Sequence, residues 1–305
     1  MANPRHRIII RQVLSPLIGE EEEIGVQSRA GCVGDYSPCS CSVYFDNKIS
    51  VTCRYVSVET VREVFQRMND REIYKLSLYM DAATNTRTSL PPDFLGNTSV
   101  THRIFIQGSK KSNLVIDPLA FRLSQNSLVE FSVSNVDFGL QNNFSFLNEF
   151  NKLEGLHIID TINLAAFQFL PPLPSLKHLS VANCPSEFNQ IAFPDLRSAE
   201  LKKLELIYNE ISDQTADEIV AKLAASTSAD SLESLDLHKN SLTRIPSQVG
   251  SGFPNLKTVS LYDNNISYIS SFSLTFSSPY LESLYLFRNK IKTIERGAFR
   301  GKYTD

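Results

Sequence analysis

The chain has 305 residues, 30 of them Lys or Arg and 33 of them Asp or Glu, which gives a net charge of −3 at pH 7. Because the basic residues are scattered and form no stripe, the sequence argues against nucleic acid or an anionic membrane surface as a partner. No run of 18 apolar residues occurs, so no membrane-spanning segment is predicted within it. A length above the usual size of one hydrophobic core indicates several domains or an array of repeats.

Residues 1–31 begin with a short basic and apolar stretch that does not fit an ordinary secretory signal peptide. Arg5 and Arg7 are followed by only three isoleucines before Arg11 interrupts the apolar run. A working signal peptide needs a longer apolar region and small residues before its cleavage site. We therefore expect residues 1–31 to form a flexible N-terminal segment, which includes the glutamates at positions 20–23.

Four of the five cysteines lie close together near the start of the chain, at Cys32, Cys39, Cys41 and Cys53. No CxxC pair or neighbouring histidine accompanies them, which argues against a zinc site. Cys39 and Cys41 are too close in sequence to pair comfortably with each other, so two disulfides leading outward from them are expected. The residues alone leave open which partner each of the two takes.

A helix is predicted directly after these cysteines, over residues 58–68, because apolar residues recur there on one helical face. The simplest role of that face is to cover the open edge of the first repeat. The residues that share the face are Val61, Val64, Phe65 and Met68. Residues 32–72 are therefore expected to form a disulfide-bonded N-terminal cap.

Three stretches near the C-terminus share one pattern, LxxLxLxxNxL, at residues 232–242, 256–266 and 281–291. In a short strand, the apolar residues at positions one, four and six face one side, and positions five and seven face the other. Position nine ends the strand, where a buried Asn side chain can bond backbone groups that the turning chain leaves unpaired. The pattern predicts parallel strands stacked in a repeat array.

The pattern extends backwards in a less regular form, with a repeat about every 26 residues, so residues 73–305 are predicted to be repeats. Position nine is Asn in the last repeats and is Cys184 in an earlier one. We predict that Cys184 is a buried free thiol. The alignment also places Asn113 on a loop. The predicted first positions are Ile73, Thr101, Leu128, Leu153, Leu176, Leu201, Leu232, Leu256 and Leu281.

The repeat that begins at Leu201 is longer than the others and contains a second helical pattern. Residues 213–226 are predicted to form a helix on the convex side, with Ser212 or Asp213 as its N-cap. The apolar residues at helical spacing are Ala216, Ile219, Val220 and Leu223.

The last repeat ends without a recognisable closing cap. No cysteine-rich segment follows Phe299, although a solenoid needs its final apolar edge covered. Either the sequence is incomplete or a partner covers this edge, and we expect the former, with the C-terminal cap missing and both ends incomplete.

The repeats resemble the leucine-rich repeat family, whose signature carries Asn or Cys at position nine. The resemblance implies an α/β solenoid of about nine repeats, with a parallel sheet on its concave face and a short helix or loop on its convex face. The cysteine cluster is similar to the N-terminal cap of extracellular members. That similarity implies the pairs Cys32 with Cys41 and Cys39 with Cys53, and an extracellular or secreted location.

The cap, the helix after it and the segment from Leu90 to Phe94 also resemble arthropod proteins related to the non-catalytic subunit of the secreted shrimp (Oplophorus) luciferase. This resemblance implies a stabilising partner of a secreted enzyme, without enzyme activity of its own. The alternative is the ectodomain of a leucine-rich repeat receptor or adhesion protein, truncated before its membrane anchor.

No group of residues predicts catalysis, a metal or a cofactor. His157 and His178 are expected to lie on neighbouring strands, but no carboxylate or third ligand aligns with them. We therefore predict a protein that is not an enzyme. Three N-x-S/T sequons, at Asn97, Asn143 and Asn265, fall in predicted turns or convex segments and are expected to carry glycans.

The predicted binding surface is the concave face of the last repeats, because an open sheet suits a protein partner better than a small substrate. Bulky groups recur there at positions five, seven and eight. An aromatic centre with a charged rim is typical of protein-binding hot spots. The residues expected to contact a protein partner are Ile207, Tyr208, His238, Tyr262, Tyr285 and Phe287.

Overall fold

The computed structural model divides into two compact units, one within residues 13–175 and one that begins at Leu176. The predicted flexible segment 1–31 lies outside the described residues. None of the helices in the described part of the chain is long and apolar enough to cross a membrane. The described residues are 32, 34–43, 45–68, 72–80, 87–139, 143–185, 188–196 and 199–301.

The N-terminal unit is built on a sheet whose order is β1-β2-β3-β5-β6-β7. Its strands are β1 (Ser40–Val43), β2 (Ile49–Val56), β3 (Glu72–Met80), β4 (Thr88–Leu90), β5 (Ser99–Ile116), β6 (Glu130–Asp137) and β7 (Gly155–Ile159). Strand β1 is antiparallel to β2, the remaining neighbours are parallel, and β4 pairs with the end of β5. Its helices are α1 (Val58–Arg67) and the 3₁₀ turns Phe45–Asn47, Arg122–Ser124, Ser145–Leu147 and Leu164–Phe169.

The C-terminal unit has the same construction, with the order β8-β9-β10-β11-β14, all parallel. The strands of this sheet are β8 (His178–Ala182), β9 (Lys203–Ile207), β10 (Ser234–Asp236), β11 (Thr258–Ser260) and β14 (Ser283–Tyr285). The returning segments contain α2 (Asp213–Ala224), α3 (Ser228–Ser231), β12 (Tyr268–Ile269), β13 (Leu274–Phe276), β15 (Thr293–Ile294) and β16 (Phe299–Gly301). There β12 pairs with β15, and β13 pairs with β16.

The strand positions confirm the repeat array predicted from the sequence. Every predicted first position lies in a strand of the parallel sheets or two residues before one. Leu204 and Leu206, at positions four and six of their repeat, are fully buried, whereas Glu205 and Ile207 face outward and are half-buried. The alternation of apolar and polar residues therefore sets which side of each strand joins the core, and the fold is an α/β solenoid with few helices.

Both predicted helices are present with the expected buried faces, except that Met68 of the α1 face is only half-buried. The N-cap hydroxyl of Ser57 accepts the backbone N–H of Thr60 at 3.1 Å, and that of Ser212 accepts the N–H of Thr215 at 3.3 Å. Met68 leaves the helical conformation with ψ 138°, so α1 ends one residue earlier than predicted. The buried residues of the two helices are Val61, Val64 and Phe65 in α1, and Ala216, Ile219, Val220 and Leu223 in α2.

Two disulfides join the start of the described chain to the edge of its sheet. Cys32 is bonded to Cys41 and Cys39 to Cys53, which is the pairing that the family resemblance implies. Cys41 lies in β1 and the fully buried Cys53 in β2. The bridges therefore hold the antiparallel strand of the cap against the first parallel strands, as in a cysteine-rich cap.

Strand β5 is longer than the repeat pattern predicts, and it includes Asn113. Its pairing with β6 shifts between Gln107 and Ser112, and then resumes at Ser112 and Asn113. Such an irregularity lets a strand bend and continue beyond the ordinary repeat turn. The predicted loop position of Asn113 is therefore wrong.

Asparagine side chains at position nine link successive repeats of the C-terminal unit. The side-chain oxygen of Asn240 accepts the backbone N–H groups of Asn209 at 3.0 Å and Ile211 at 3.1 Å. Its amide nitrogen donates to the carbonyls of Leu206 at 2.7 Å and Leu237 at 2.9 Å. One buried side chain thus satisfies backbone groups in its own repeat and in the repeat before it.

The next repeat uses the same arrangement. Asn264 accepts from the N–H groups of Asn240 at 3.1 Å and Leu242 at 3.2 Å, and it donates to the carbonyls of Leu237 at 3.0 Å and Leu261 at 3.1 Å. Asn209 and Asn289 bond the preceding repeat in the same way. We call Asn209, Asn240, Asn264 and Asn289 the asparagine ladder.

Cys184 occupies position nine in the repeat before the asparagine ladder begins. Its backbone N–H donates to the side-chain oxygen of Asn209 at 2.8 Å, and its Sγ lies 3.4 Å from the carbonyl oxygen of Ala182. The residue is fully buried and forms no disulfide, which confirms the predicted buried free thiol.

We expect Asn240→Ala to lower the free energy of unfolding by roughly 1–3 kcal/mol, because it leaves buried backbone groups unpaired. The matched control is Ser241→Ala at the next position, where the side chain is exposed and the backbone bond to Ile211 remains. Denaturant unfolding of both variants measures the difference. Equal stability of the two would show that the ladder contributes little.

Candidate functional site

The outward side chains of the C-terminal sheet lie in rows that cross neighbouring strands. The parallel register pairs Glu205 with Asp236 on the next strand, and the row continues to Ser260 and Tyr285. These residues all occupy position five of their repeats. Position seven forms a second row, two residues further along the chain.

The second row contains a stack of aromatic rings. The ring centroids of His238 and Tyr262 lie 4.1 Å apart with planes 12° from parallel, and those of Tyr262 and Phe287 lie 4.4 Å apart at 11°. Tyr285 meets Phe287 edge to face at 6.3 Å. Because neighbouring strands lie about 4.8 Å apart, strand register by itself brings the rings within stacking distance. We call His238, Tyr262, Tyr285 and Phe287 the aromatic cluster.

The members of the aromatic cluster differ in exposure. His238 is 7% exposed, whereas Tyr262, Tyr285 and Phe287 are half-buried. Asp236 Oδ1 lies 2.7 Å from Nδ1 of the His238 ring and also accepts the backbone N–H of His238 at 3.0 Å. His238 therefore supports the ring of Tyr262 and offers little surface of its own to a partner.

The other predicted contact residues extend the surface to the neighbouring strand. Ile207 is half-buried, and Tyr208 is 52% exposed. Tyr208 takes a left-handed backbone conformation with φ 57°, as do Lys239, Asp263 and Arg288 at φ 54°, 52° and 53°. Position eight therefore turns the chain out of each strand and directs these side chains to the rim.

The left-handed turn at position eight was not predicted from the sequence. Asn and Asp adopt positive φ more readily than other side-chain-bearing residues, and they occupy this position in three earlier repeats. Those residues are Asn135, Asp160 and Asn183, with φ 55°, 48° and 56°. Their recurrence was the signal that could have predicted the turn.

A half-buried carboxylate lies on β9, opposite Asp236 of the next strand. Glu205 Oε2 is 2.8 Å from Nε2 of His178, and Glu205 Oε1 is 2.6 Å from Nζ of Lys203. Burial alone would raise the pKa of Glu205, but the hydrogen bonds from His178 and Lys203 and the charges of both lower it to about 2. The carboxylate therefore stays ionised, and Nε2 of His178 is held against it.

Tyr262 remains protonated under all ordinary conditions. Burial and the nearby charges of Asp236 and Asp263 raise the pKa of its hydroxyl to about 12. Asp263 itself lies 3.3 Å from Arg288 at the rim. Tyr262 thus presents a neutral O–H that can donate a hydrogen bond to a partner, beside a rim that carries charges of both signs.

The described residues contain no group of three or more His, Cys, Asp or Glu side chains arranged to hold a metal ion. A shallow open depression in the N-terminal unit has no titratable side chain among its lining residues. Those residues are Asn143, Ser145, Asn148, Phe169 and Pro171. Its lining residues include one hydroxyl, that of Ser145, but no acid or base that could activate it.

The three sequons lie on accessible parts of the chain. Asn97, Asn143 and Asn265 are all exposed, and none lies in a strand. Asn143 Oδ1 accepts the backbone N–H of Ser145 at 2.9 Å, which forms a local turn at that sequon. Each asparagine is therefore placed where a glycan would extend into solvent.

Comparison with protein families supports the interpretation of the repeats. A family model described as leucine rich repeat matches residues 230–275, which include two of the three regular repeats. This match supports assignment to a leucine-rich repeat family, whose members typically bind proteins. No curated protein matches the chain significantly. The narrower resemblance to the shrimp luciferase subunit stays a prediction.

We expect the stability of the C-terminal unit to depend on pH through Glu205. Because its folded pKa of about 2 lies below the ordinary value of 4.5, the stabilisation is complete above 4.5 and is lost as pH falls towards 2. Glu205→Gln should lower stability at pH 7 and flatten this acid dependence. Glu282→Gln, at an exposed position, is the control. Parallel acid-unfolding curves for Glu205→Gln and the wild type would contradict the assignment.

Proposed function

We propose that this protein is a non-catalytic binding scaffold that acts outside the cell and binds a protein through the outward face of its C-terminal unit. The observation that carries the proposal is the ordered aromatic cluster, in which the Tyr262 ring is stacked between His238 and Phe287. Rings that are fixed before binding lose little conformational freedom when a partner docks. A preformed aromatic surface with a charged rim has the composition of a binding hot spot.

The backbone at Tyr208 supports the same surface. A bulky residue in the left-handed conformation costs roughly 1–2 kcal/mol relative to its preferred conformations. Asn occupies the equivalent position in other repeats, for example at Asn183. The exposed ring of Tyr208 gains little from burial to offset that cost. We therefore infer that the strained, exposed Tyr208 makes a contact with a partner that offsets this cost.

An extracellular location is supported by two features of the chain. Disulfides persist in oxidising compartments, and the N-terminal cap contains two of them. Exposed sequons at Asn97, Asn143 and Asn265 fit a glycosylated protein. In the finer form of the proposal, the scaffold is a stabilising partner subunit of a secreted enzyme. A receptor or adhesion ectodomain is the alternative, and a full-length transcript that encodes a C-terminal membrane anchor would favour it.

The proposal predicts that Tyr262→Ala combined with Phe287→Ala weakens partner binding by about 2 kcal/mol or more, since hot-spot aromatics contribute on that scale. The partner is first captured from extracellular fluid on immobilised wild-type protein, and its dissociation constant is then measured for each variant. Tyr280→Ala is the control, because Tyr280 is 56% exposed and lies outside the strand rows. Unchanged affinity of the double variant, with an unchanged melting temperature, would exclude this surface as the partner-binding site.

A second variant separates binding from folding. We expect Tyr208→Asn to raise the free energy of unfolding by up to about 1 kcal/mol, because Asn adopts the left-handed conformation more easily. The same variant should bind the captured partner more weakly than the wild type. Denaturant unfolding and the binding titration give the two values. A more stable variant that binds as tightly as the wild type would show that Tyr208 has no part in the contact.

A further inference from the structure

A second group of outward side chains lies in the N-terminal unit, around Tyr74 on β3. The ring of Tyr74 stacks on that of His102 with centroids 4.4 Å apart and planes 6° from parallel. The ammonium of Lys48 lies 4.7 Å from the Tyr74 ring centroid, and that of Lys75 lies 5.8 Å from it. One tyrosine ring thus contacts two cationic groups and a stacked imidazole.

A second pair of cation–ring contacts lies further along the same strands. The guanidinium of Arg54 lies 4.1 Å from the Tyr79 ring centroid, and that of Arg103 lies 5.9 Å from the ring centroid of Phe105. Tyr79 meets Phe105 edge to face at 5.7 Å. The register pairs Lys75 with Arg103, so the two groups adjoin. We call these two groups together the cation–aromatic surface.

The exposed cations of this surface are Lys48 and Arg54. Arg103 is paired with Glu130, whose Oε2 lies 3.7 Å from Nε of Arg103. That distance is too long for a hydrogen bond, and the Nε of Arg103 is buried without a hydrogen-bond partner. In the part of the chain that the structure describes, neither Lys48 nor Arg54 forms a salt bridge.

His102 lies where the charges of Lys48, Lys75 and Arg103 act together. Burial lowers the pKa of His102, and the positive charges of Lys75, Arg103 and Lys48 lower it further against the opposing effect of Glu130. The imidazole is therefore neutral at pH 7 and does not itself contribute charge. A bound anion would offset the three cations and raise the pKa of His102 again.

We propose that the cation–aromatic surface binds an acidic polypeptide segment in an extended conformation. Arg54 pairs with Tyr79, four residues beyond Lys75 on the same strand. At about 3.3 Å per residue, the two cationic positions are therefore roughly 13 Å apart along the strand, which is the separation of carboxylates at i and i+4 of an extended peptide. The register places Lys75 beside Arg103 on the neighbouring strand, so the first carboxylate would lie against this pair and the second against Arg54.

The aromatic rings favour a polypeptide over a sulfated polysaccharide. A sugar ring binds an aromatic side chain by covering one of its open faces. Tyr74 offers no such face, since His102 stacks on it from the strand on one side and Lys48 lies over it from the other. The ring edges and half-buried apolar surface that remain suit the side chains of a peptide whose acidic residues are separated by apolar ones.

The test is a fluorescence anisotropy titration of the whole chain with labelled deca-glutamate, with deca-lysine and a heparin oligosaccharide as the other probes. We expect deca-glutamate to bind at low salt, and Lys48→Gln combined with Arg54→Gln to weaken it by roughly tenfold or more. Both residues are exposed, so the variant should keep the wild-type melt. The matched control is Lys152→Gln combined with Lys292→Gln, which removes the same charge from exposed positions elsewhere.

Absence of deca-glutamate binding, equal weakening by the control variant, or tighter binding of heparin than of deca-glutamate would each overturn the proposal. A second measurement does not depend on the variants. The ring signals of His102 should shift in the NMR spectrum as deca-glutamate is added to wild-type protein, and its pKa should rise. Binding without any change at His102 would place the peptide elsewhere. The Tyr262 and Phe287 variants should bind deca-glutamate normally, which separates this surface from the proposed partner site.

Discussion

The asparagine ladder is the constraint on which the C-terminal unit depends. The buried amides of Asn240 and Asn264 bond N–H and carbonyl groups that turning strands would otherwise leave unpaired, and each does so in two repeats at once. Successive strands are therefore held at one register. That register then decides which outward side chains meet, and it brings Tyr262 between His238 and Phe287.

The same construction presents different chemistry in the two units. In the C-terminal unit, rings stack on one another, and charges of both signs occupy the rim, as in the pair Asp263 and Arg288. In the N-terminal unit, rings contact cationic side chains instead, as Tyr79 contacts the guanidinium of Arg54. Because only inward positions are constrained by the core, outward positions vary from repeat to repeat without disturbing the fold. One chain thus carries two outward surfaces of different chemistry.

Sequence periodicity predicted the parts of the molecule that local rules determine. Buried positions such as Leu204 and the start of α2 at Asp213 follow from spacing and capping, so they were predicted correctly, whereas α2 ends at Ala224, two residues earlier than predicted. The burial of His238 could not be predicted, because it depends on Asp236 and on a ring one repeat away. The strand position of Asn113 was wrong for a similar reason, since an irregularity in pairing extends β5 past the repeat pattern. Contacts between residues about one repeat apart depend on the register of neighbouring strands. Sequence periodicity indicates that register only where the repeats are regular.

Amide hydrogen exchange of the isolated protein tests most directly whether the ladder holds the repeats in register. The backbone N–H groups that donate to ladder asparagines lie in turns, where amides ordinarily exchange fast. We predict that they exchange as slowly as the amides of the parallel strands. The amides to follow are those of Cys184, Asn209, Ile211, Asn240, Leu242 and Ile266. Exchange of these amides as fast as that of exposed turns would contradict the account.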